Sequence, residues 1–218
     1  MKKNYITPDE MDNIAINVLV SAGQPTTWQG SVCKTKIDHL IEFEYGLDIV
    51  WEDIDHFAPN ENEEVLAALI PEQKLIYMNE AKKDLFMKKM GTMNFSKAHE
   101  LGHWVLHITE LQDYEQLTFS ENQTYFCRSA SKKDPQETQA DMFAASILMP
   151  KDIITYAINM LKERGKISFP NLYKLCDEFE VSISALTIRV QELKLLHITA
   201  DGKIYFSEAE AMGQMSII

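Results

Sequence analysis

The sequence predicts an α+β fold in which a small antiparallel or mixed sheet packs on helices. Three apolar runs, at residues 47–54, 65–70 and 74–79, have the length and composition of strands. The last two are separated by a three-residue turn that begins at Pro71, which is typical of a β-hairpin. Segments of helical length precede and follow these three runs.

The helices are predicted from their periodicity and from the signals at their ends. The first runs from about Asp9 to Ala22, because Thr7-Pro8 is typical of a helix start. Residues 109–133 are expected to be irregular. The remaining helices are expected at residues 35–45, 80–90, 94–108, 134–148, 151–163, 170–179 and 182–194.

The character of the chain changes near residue 150. Beyond it the helices are short, and residues 170–194 form a helix, a turn and a second helix. A final hairpin is expected to turn at Asp201-Gly202. We therefore predict a larger domain at residues 1–150 and a small, helical, helix-turn-helix-like subdomain at residues 151–218.

The net charge argues against a surface that binds nucleic acid. The 218-residue chain has a formal net charge of −12 and a pI near 4.9, whereas a surface that neutralises phosphates is basic. The second helix of the helix-turn-helix-like segment offers only Arg189 and Lys194 as cations. Direct nucleic-acid binding is therefore not expected. The segment is better explained as a packing subdomain, or as a surface on which a partner protein docks.

Neither an export signal nor a membrane span is expected in this chain. The longest early apolar run, residues 14–20, is interrupted by Asn17 and is too short to cross a bilayer. The three cysteines, Cys33, Cys127 and Cys176, include no CxxC pair and indicate reduced thiols. We expect a cytoplasmic protein, and the role of Cys127 is left open.

The chemistry of the chain is concentrated in residues 99–103, His-Glu-Leu-Gly-His, an HExxH motif. On a helix, His99 and His103 lie one turn apart on the same face, so both imidazoles can converge on one metal ion. The apolar residues of this helix form a separate stripe, so the histidines are not explained as core residues. Catalytic zinc usually takes three protein ligands, and a third ligand is therefore required.

Glu137 is the strongest candidate for that third ligand. On its predicted helix it shares a face with Asp141 and with small apolar residues, where two carboxylates are costly to bury unless a cation meets them. Asp141 could then accept the second ring N–H of one histidine and fix its tautomer. On spacing alone, the alternative that both are ordinary exposed acids has about equal weight.

Two other ligand patterns fit the sequence less well. His107 follows His103 by four residues, but three histidines along one straight helix would have to reach a metal across about 11–12 Å. The longer metzincin pattern fails because its two later positions hold Leu106 and Thr109.

Two segments of the chain resemble the ImmA/IrrE metallo-endopeptidases. Residues 95–103 hold the HExxH motif, and residues 137–150 begin with Glu-Thr-Gln-Ala-Asp and end with Leu-Met-Pro. The similarity extends over about residues 40–195. It implies a zincin-like, gluzincin-like metalloprotease domain and, as a partner, a helix-turn-helix transcriptional repressor that the protein cleaves.

The resemblance also implies a role for each site residue. His99, His103 and Glu137 are expected to bind one zinc ion per chain. Glu100, expected to face the open side of the site, would take a proton from the zinc-bound water and later deliver it to the leaving amine.

Several features of the expected reaction are left open. The candidates for stabilising the oxyanion are Tyr114, Tyr125, Arg128 and Tyr156. The substrate is expected to extend along an exposed edge of the 65–79 hairpin. A competing hypothesis is a non-catalytic regulator that keeps zinc as a structural element and only binds its partner protein.

Overall fold

The computed structural model describes residues 5–58, 64–108, 125–128, 135–165 and 167–213. In these ranges the chain is an α+β protein, as the sequence predicts. The helices are α1 (Pro8–Ser21), α2 (Ile37–His39), α3 (Lys83–Lys88), α4 (Met90–His103), α5 (Pro135–Leu148), α6 (Lys151–Glu163), α7 (Phe169–Phe179), α8 (Ile183–Glu192) and α9 (Glu208–Ala211). The strands are β1 (Asp48–Glu52), β2 (Val65–Ile70), β3 (Leu75–Asn79), β4 (Tyr125–Arg128), β5 (His197–Ile198) and β6 (Ile204–Tyr205).

Helix α1 begins where the sequence predicts. The side chain of Thr7 accepts a hydrogen bond from the backbone N–H of Glu10, and the Glu10 carboxylate accepts one from the backbone N–H of Thr7. This reciprocal cap satisfies two backbone donors that a helix start otherwise leaves without a partner.

Two predicted helices contain π-helical turns. The segment predicted at residues 35–45 is the short helix α2 followed by a π-helix over Leu40–Glu44. The segment predicted at 94–108 is α4 followed by a π-helix over Trp104–Ile108. Periodicity near 3.6 residues does not distinguish these wider turns, so the sequence does not predict them.

The larger sheet has the strand order β1-β3-β2-β4. Strand β1 pairs in parallel with β3, whereas β2 pairs antiparallel with both β3 and β4. The predicted hairpin of β2 and β3 is therefore the interior of the sheet. The prediction that a substrate lies along an exposed hairpin edge is wrong, because β1 and β4 flank both strands. Strand β4 also lies within the stretch predicted to be irregular.

One hydrophobic core connects the sheet with helices from both halves of the chain. Completely buried side chains come from α1, from the sheet and from α5 and α7, and include Met11, Leu69, Phe143 and Phe179. The division at residue 150 stays a prediction. None of the helices in the described part of the chain is both long and apolar enough for a membrane span.

Arg189 of α8 is buried instead of being displayed on a helix surface. Its guanidinium pairs with the buried carboxylate of Asp12 in α1 and lies 3.4 Å from the carbonyl oxygen of Met149, just after α5. The cation that a DNA-binding interpretation needs on α8 is therefore engaged inside the protein.

We expect that Gly91→Ala will lower the free energy of unfolding by about 3 kcal/mol, the upper part of the usual range for overpacking. A Cβ on Gly91 would lie 2.3 Å from the carbonyl carbon of Val181 and 2.4 Å from the amide nitrogen of Ser182. Backbone atoms cannot rotate away, so the turn between α7 and α8 would have to move. Urea denaturation measures the change. The control is Thr92→Ala, and equal stability of the two variants would contradict the prediction.

Candidate metal centre

The candidate site is formed by two helices that pack directly against each other. Helix α4 carries His99 and His103, and α5 carries Glu137 and Asp141. Both histidines are buried, whereas the two carboxylates are partly exposed. The site therefore lies at one margin of the α4–α5 interface, with the imidazoles on its inner side.

Three side chains converge on one point. The Nε2 atoms of His99 and His103 lie 3.0 Å apart. One carboxylate oxygen of Glu137 lies 3.3 Å from His99 Nε2, and the other lies 3.3 Å from His103 Nε2. These three residues form a group whose possible ligand atoms all lie within 4.8 Å of one another.

The spacing of these atoms fits a four-coordinate metal ion. Ligand atoms about 2.0–2.1 Å from a tetrahedral ion are separated from each other by about 3.3 Å. The two Nε2 atoms lie 3.0 Å apart, and each lies 3.3 Å from a different oxygen of the Glu137 carboxylate, so the separations are close to this value. Two imidazole nitrogens with one carboxylate oxygen are also a donor set that suits divalent transition metals. The residues present can therefore hold such an ion with little rearrangement.

Asp141 orients one of the two imidazoles. Its Oδ1 lies 2.9 Å from His99 Nδ1, so the carboxylate accepts the ring N–H at that position. A neutral imidazole carries only one N–H, and the lone pair of His99 is then on Nε2, which faces His103 and Glu137. The contact with Asp141 thus leaves Nε2 of His99 unprotonated, which is the form of the nitrogen that binds a metal.

The protonation states of the cluster also favour a cation. Burial lowers the pKa of His103 to about 4, against the opposing effect of its hydrogen bond with Glu137. Burial by itself would raise the pKa of Glu137, but its hydrogen bond with His103 holds that pKa well below its usual range. Near neutral pH the cluster therefore offers a neutral His103 imidazole and an ionised carboxylate.

Glu100 differs from its expected setting. The sequence predicts that its side chain faces the open side of the site, but the side chain is completely buried. A proton held on this carboxylate is therefore kept away from bulk water.

His107 is not part of the three-residue group. The π-helix that begins at Trp104 carries it, and its Nε2 lies 3.4 Å from the carbonyl oxygen of Gln136, in the first turn of α5. Its ring centroid lies 5.5 Å from that of His103. The sequence suggests His107 only as a possible ligand and does not predict this contact, which depends on the π-helical turn.

The four candidates for oxyanion stabilisation have different placements. Tyr114 lies outside the described residues. Tyr125 and Arg128 are the first and last residues of β4, and Cys127 is also in this strand. Tyr156 lies on α6, where its ring stacks on Trp28 at a centroid distance of 4.7 Å. That stacking assigns Tyr156 a packing role.

Comparison with known proteins gives one family and one informative solved structure. Residues 88–191 match the family Peptidase_M78, described as the IrrE N-terminal-like domain. A solved structure of a Mycobacterium tuberculosis transcriptional regulator is similar, with a TM-score of 0.52 and 15% sequence identity over 92% of this chain and 54% of that one. The chain thus spans about half the length of that regulator, and at this identity the likeness concerns the fold. No curated protein matches the chain.

The matched residues include α4 and α5 and therefore all four side chains of the cluster. Residues 88–191 thus match an IrrE N-terminal-like domain, which confirms the resemblance to the ImmA/IrrE family expected from the sequence.

Proposed function

We propose that this protein is a zinc-dependent endopeptidase that cleaves a partner regulatory protein, namely a helix-turn-helix transcriptional repressor. The observation that carries the proposal is the convergence of two imidazole nitrogens, 3.0 Å apart, and the Glu137 carboxylate, whose two oxygens each lie 3.3 Å from one of them. The peptidase family of residues 88–191 supports a hydrolytic role for that arrangement.

Among the residues that the structure describes, the ligand set has three members, which favours a catalytic over a structural zinc. His99, His103 and Glu137 would hold the ion, and Asp141 would fix the ring of His99. Structural zinc sites are closed by four protein ligands, mostly cysteine and histidine, whereas catalytic sites have three and keep one position for a small molecule. When bound, zinc supplies Lewis acidity, which activates water as a nucleophile near neutral pH and polarises the scissile carbonyl group.

Glu100 would act as the general base and then as the general acid. Its carboxylate takes the proton that the attacking water gives up, holds it in a buried position and delivers it to the nitrogen of the leaving amine. Burial supports this role because a proton held away from bulk solvent is not lost before the peptide bond breaks.

The outer edge of β4 is where the substrate would bind. Within the part of the chain that the structure describes, β4 pairs only with β2, and it packs against α4. An extended segment of the substrate can add to such an edge through backbone hydrogen bonds. The net charge of −12 favours encounter with a basic protein, and DNA-binding repressors are basic.

Zinc binding tests the ligand assignment. The wild-type chain should bind one Zn²⁺, and His99→Ala, His103→Ala and Glu137→Gln should each weaken binding by more than the roughly 10–100-fold typical of lost supporting contacts. Asp141→Asn should fall within that 10–100-fold range. Isothermal titration and metal analysis give the affinity and the stoichiometry.

His39→Ala is the matched control for the zinc measurements, since His39 is exposed and outside the cluster. Wild-type affinity in all three ligand variants would refute the site.

The variant Glu100→Gln separates an enzyme from a binding protein. It should keep wild-type zinc affinity but lose cleavage by about 10²–10⁴-fold, because glutamine cannot accept the proton. A suitable substrate is a small helix-turn-helix protein encoded by a neighbouring gene, incubated with zinc and followed by mass spectrometry. The exposed Glu163→Gln is the matched control and should cleave at the wild-type rate.

The result would contradict the proposal if Glu100→Gln cleaved as fast as the wild type. A partner that binds the zinc-loaded wild type tightly and is never cut would favour the non-catalytic regulator instead. Casein is a poor replacement for the partner protein in this assay, because a peptidase specific for one substrate can fail to cleave a general protease substrate.

A further inference from the structure

Gly102 lies where α4 and α5 approach each other closely. A Cβ atom on this residue would lie 3.1 Å from Cδ1 of Phe143, 3.2 Å from Cα of Ala140 and 3.3 Å from the carbonyl oxygen of Ala140. Carbon atoms in favourable contact are about 3.5–4.0 Å apart. Any side chain at position 102 would therefore require its neighbours to move by a few tenths of an ångström.

The neighbours of Gly102 have little freedom to move on their own. Two of the three atoms belong to the backbone of α5 at Ala140, and the third belongs to the completely buried ring of Phe143. Close-packed interiors transmit such strain instead of absorbing it. The easiest relief is a shift of α5 relative to α4.

Such a shift would act directly on the metal cluster. Ala140 is one turn beyond Glu137 on α5 and adjacent to Asp141, while Gly102 directly precedes His103 on α4. Distances from a metal to its ligands tolerate changes of only about 0.2 Å. A displacement of a few tenths of an ångström therefore exceeds what the site can accommodate.

We propose that Gly102 is a positioning residue, whose missing side chain sets the separation of α4 and α5 at which the Glu137 carboxylate reaches both imidazoles. The inference rests on the metal site of the proposed function. It extends that function by assigning control of the site geometry to a residue that offers no ligand atom.

Gly91 provides a matched control on the same helix. It lies at the opposite end of α4 from the site, and its contacts are with the backbone of Val181 and Ser182 between α7 and α8. Alanine at position 91 should therefore reduce stability, whereas alanine at position 102 should affect the metal site selectively.

The experiment compares Gly102→Ala and Gly91→Ala with the wild type in two measurements. Zn²⁺ affinity is obtained by competition with a chelator, supported by the visible spectrum of bound Co²⁺, and urea denaturation gives the stability of the metal-free chain. For Gly102→Ala we expect about a tenfold or greater loss of Zn²⁺ affinity and an altered Co²⁺ spectrum. Its metal-free stability should stay near that of the wild type, because alanine forms helix better than glycine and offsets the crowding. Gly91→Ala should lower the stability of the metal-free chain but leave the Zn²⁺ affinity near that of the wild type.

Three results would overturn the positioning role. The first is wild-type Zn²⁺ affinity in Gly102→Ala, and the second is an affinity loss that merely parallels a loss of metal-free stability. If Gly102→Ala does not fold, the double variant Gly102→Ala/Phe143→Leu is compared with Phe143→Leu. Leucine at position 143 removes the contact with the Phe143 ring but keeps both backbone contacts of position 102. The third result that would overturn the positioning role is therefore equal Zn²⁺ affinity in the double variant and in Phe143→Leu.

The failure of this inference is distinguishable from a failure of the proposed function. A wild type that binds zinc and cleaves its partner, with an unaffected Gly102→Ala, refutes the positioning role alone. A wild type that binds no zinc refutes both.

Discussion

The packing of α4 against α5 is the constraint on which the site depends. The two helices bring together two neighbouring imidazoles and two carboxylates, with nitrogen and oxygen atoms 2.9–3.3 Å apart. Burial makes such a cluster costly unless a cation compensates the carboxylates. The relative position of the two helices is therefore compatible with a metal ion, and a bound ion would in turn stabilise the packed state.

Both helices are held in place by contacts outside the site. Lys97 of α4 is buried, and its ammonium group donates to both carboxylate oxygens of Asp38, at 2.8 and 3.0 Å. The last turn of α5 is fixed by Thr35, whose hydroxyl donates to the carbonyl oxygen of Ile147 at 2.7 Å. A geometry that must be accurate to a few tenths of an ångström is thus supported by segments distant in sequence, as functional sites require.

The sequence predicts local features of this protein better than non-local ones. The cap at Thr7 and the β2–β3 hairpin depend on neighbouring residues, and both are present as predicted. The HExxH spacing predicts that His99 and His103 lie close together, because positions i and i+4 share a helix face. The order of strands depends on distant pairings, so neither the parallel pairing of β1 with β3 nor the edge position of β4 could be inferred. The burial of Glu100 was missed for the same reason, because neighbours distant in sequence determine it.

The helix-turn-helix-like segment shows how the same local shape can serve packing. Acidic residues outnumber basic ones beyond residue 150, and α8 places its arginine inside the protein. There Arg189 neutralises Asp12 and lies within reach of the carbonyl of Met149, at the end of α5, where a positive charge also complements the helix dipole. Helix α8 therefore supports the helix that carries Glu137 and Asp141. In this protein α8 contributes to the candidate metal centre by holding α5 at the end distant from Glu137, and a DNA-binding surface is not needed to explain its presence.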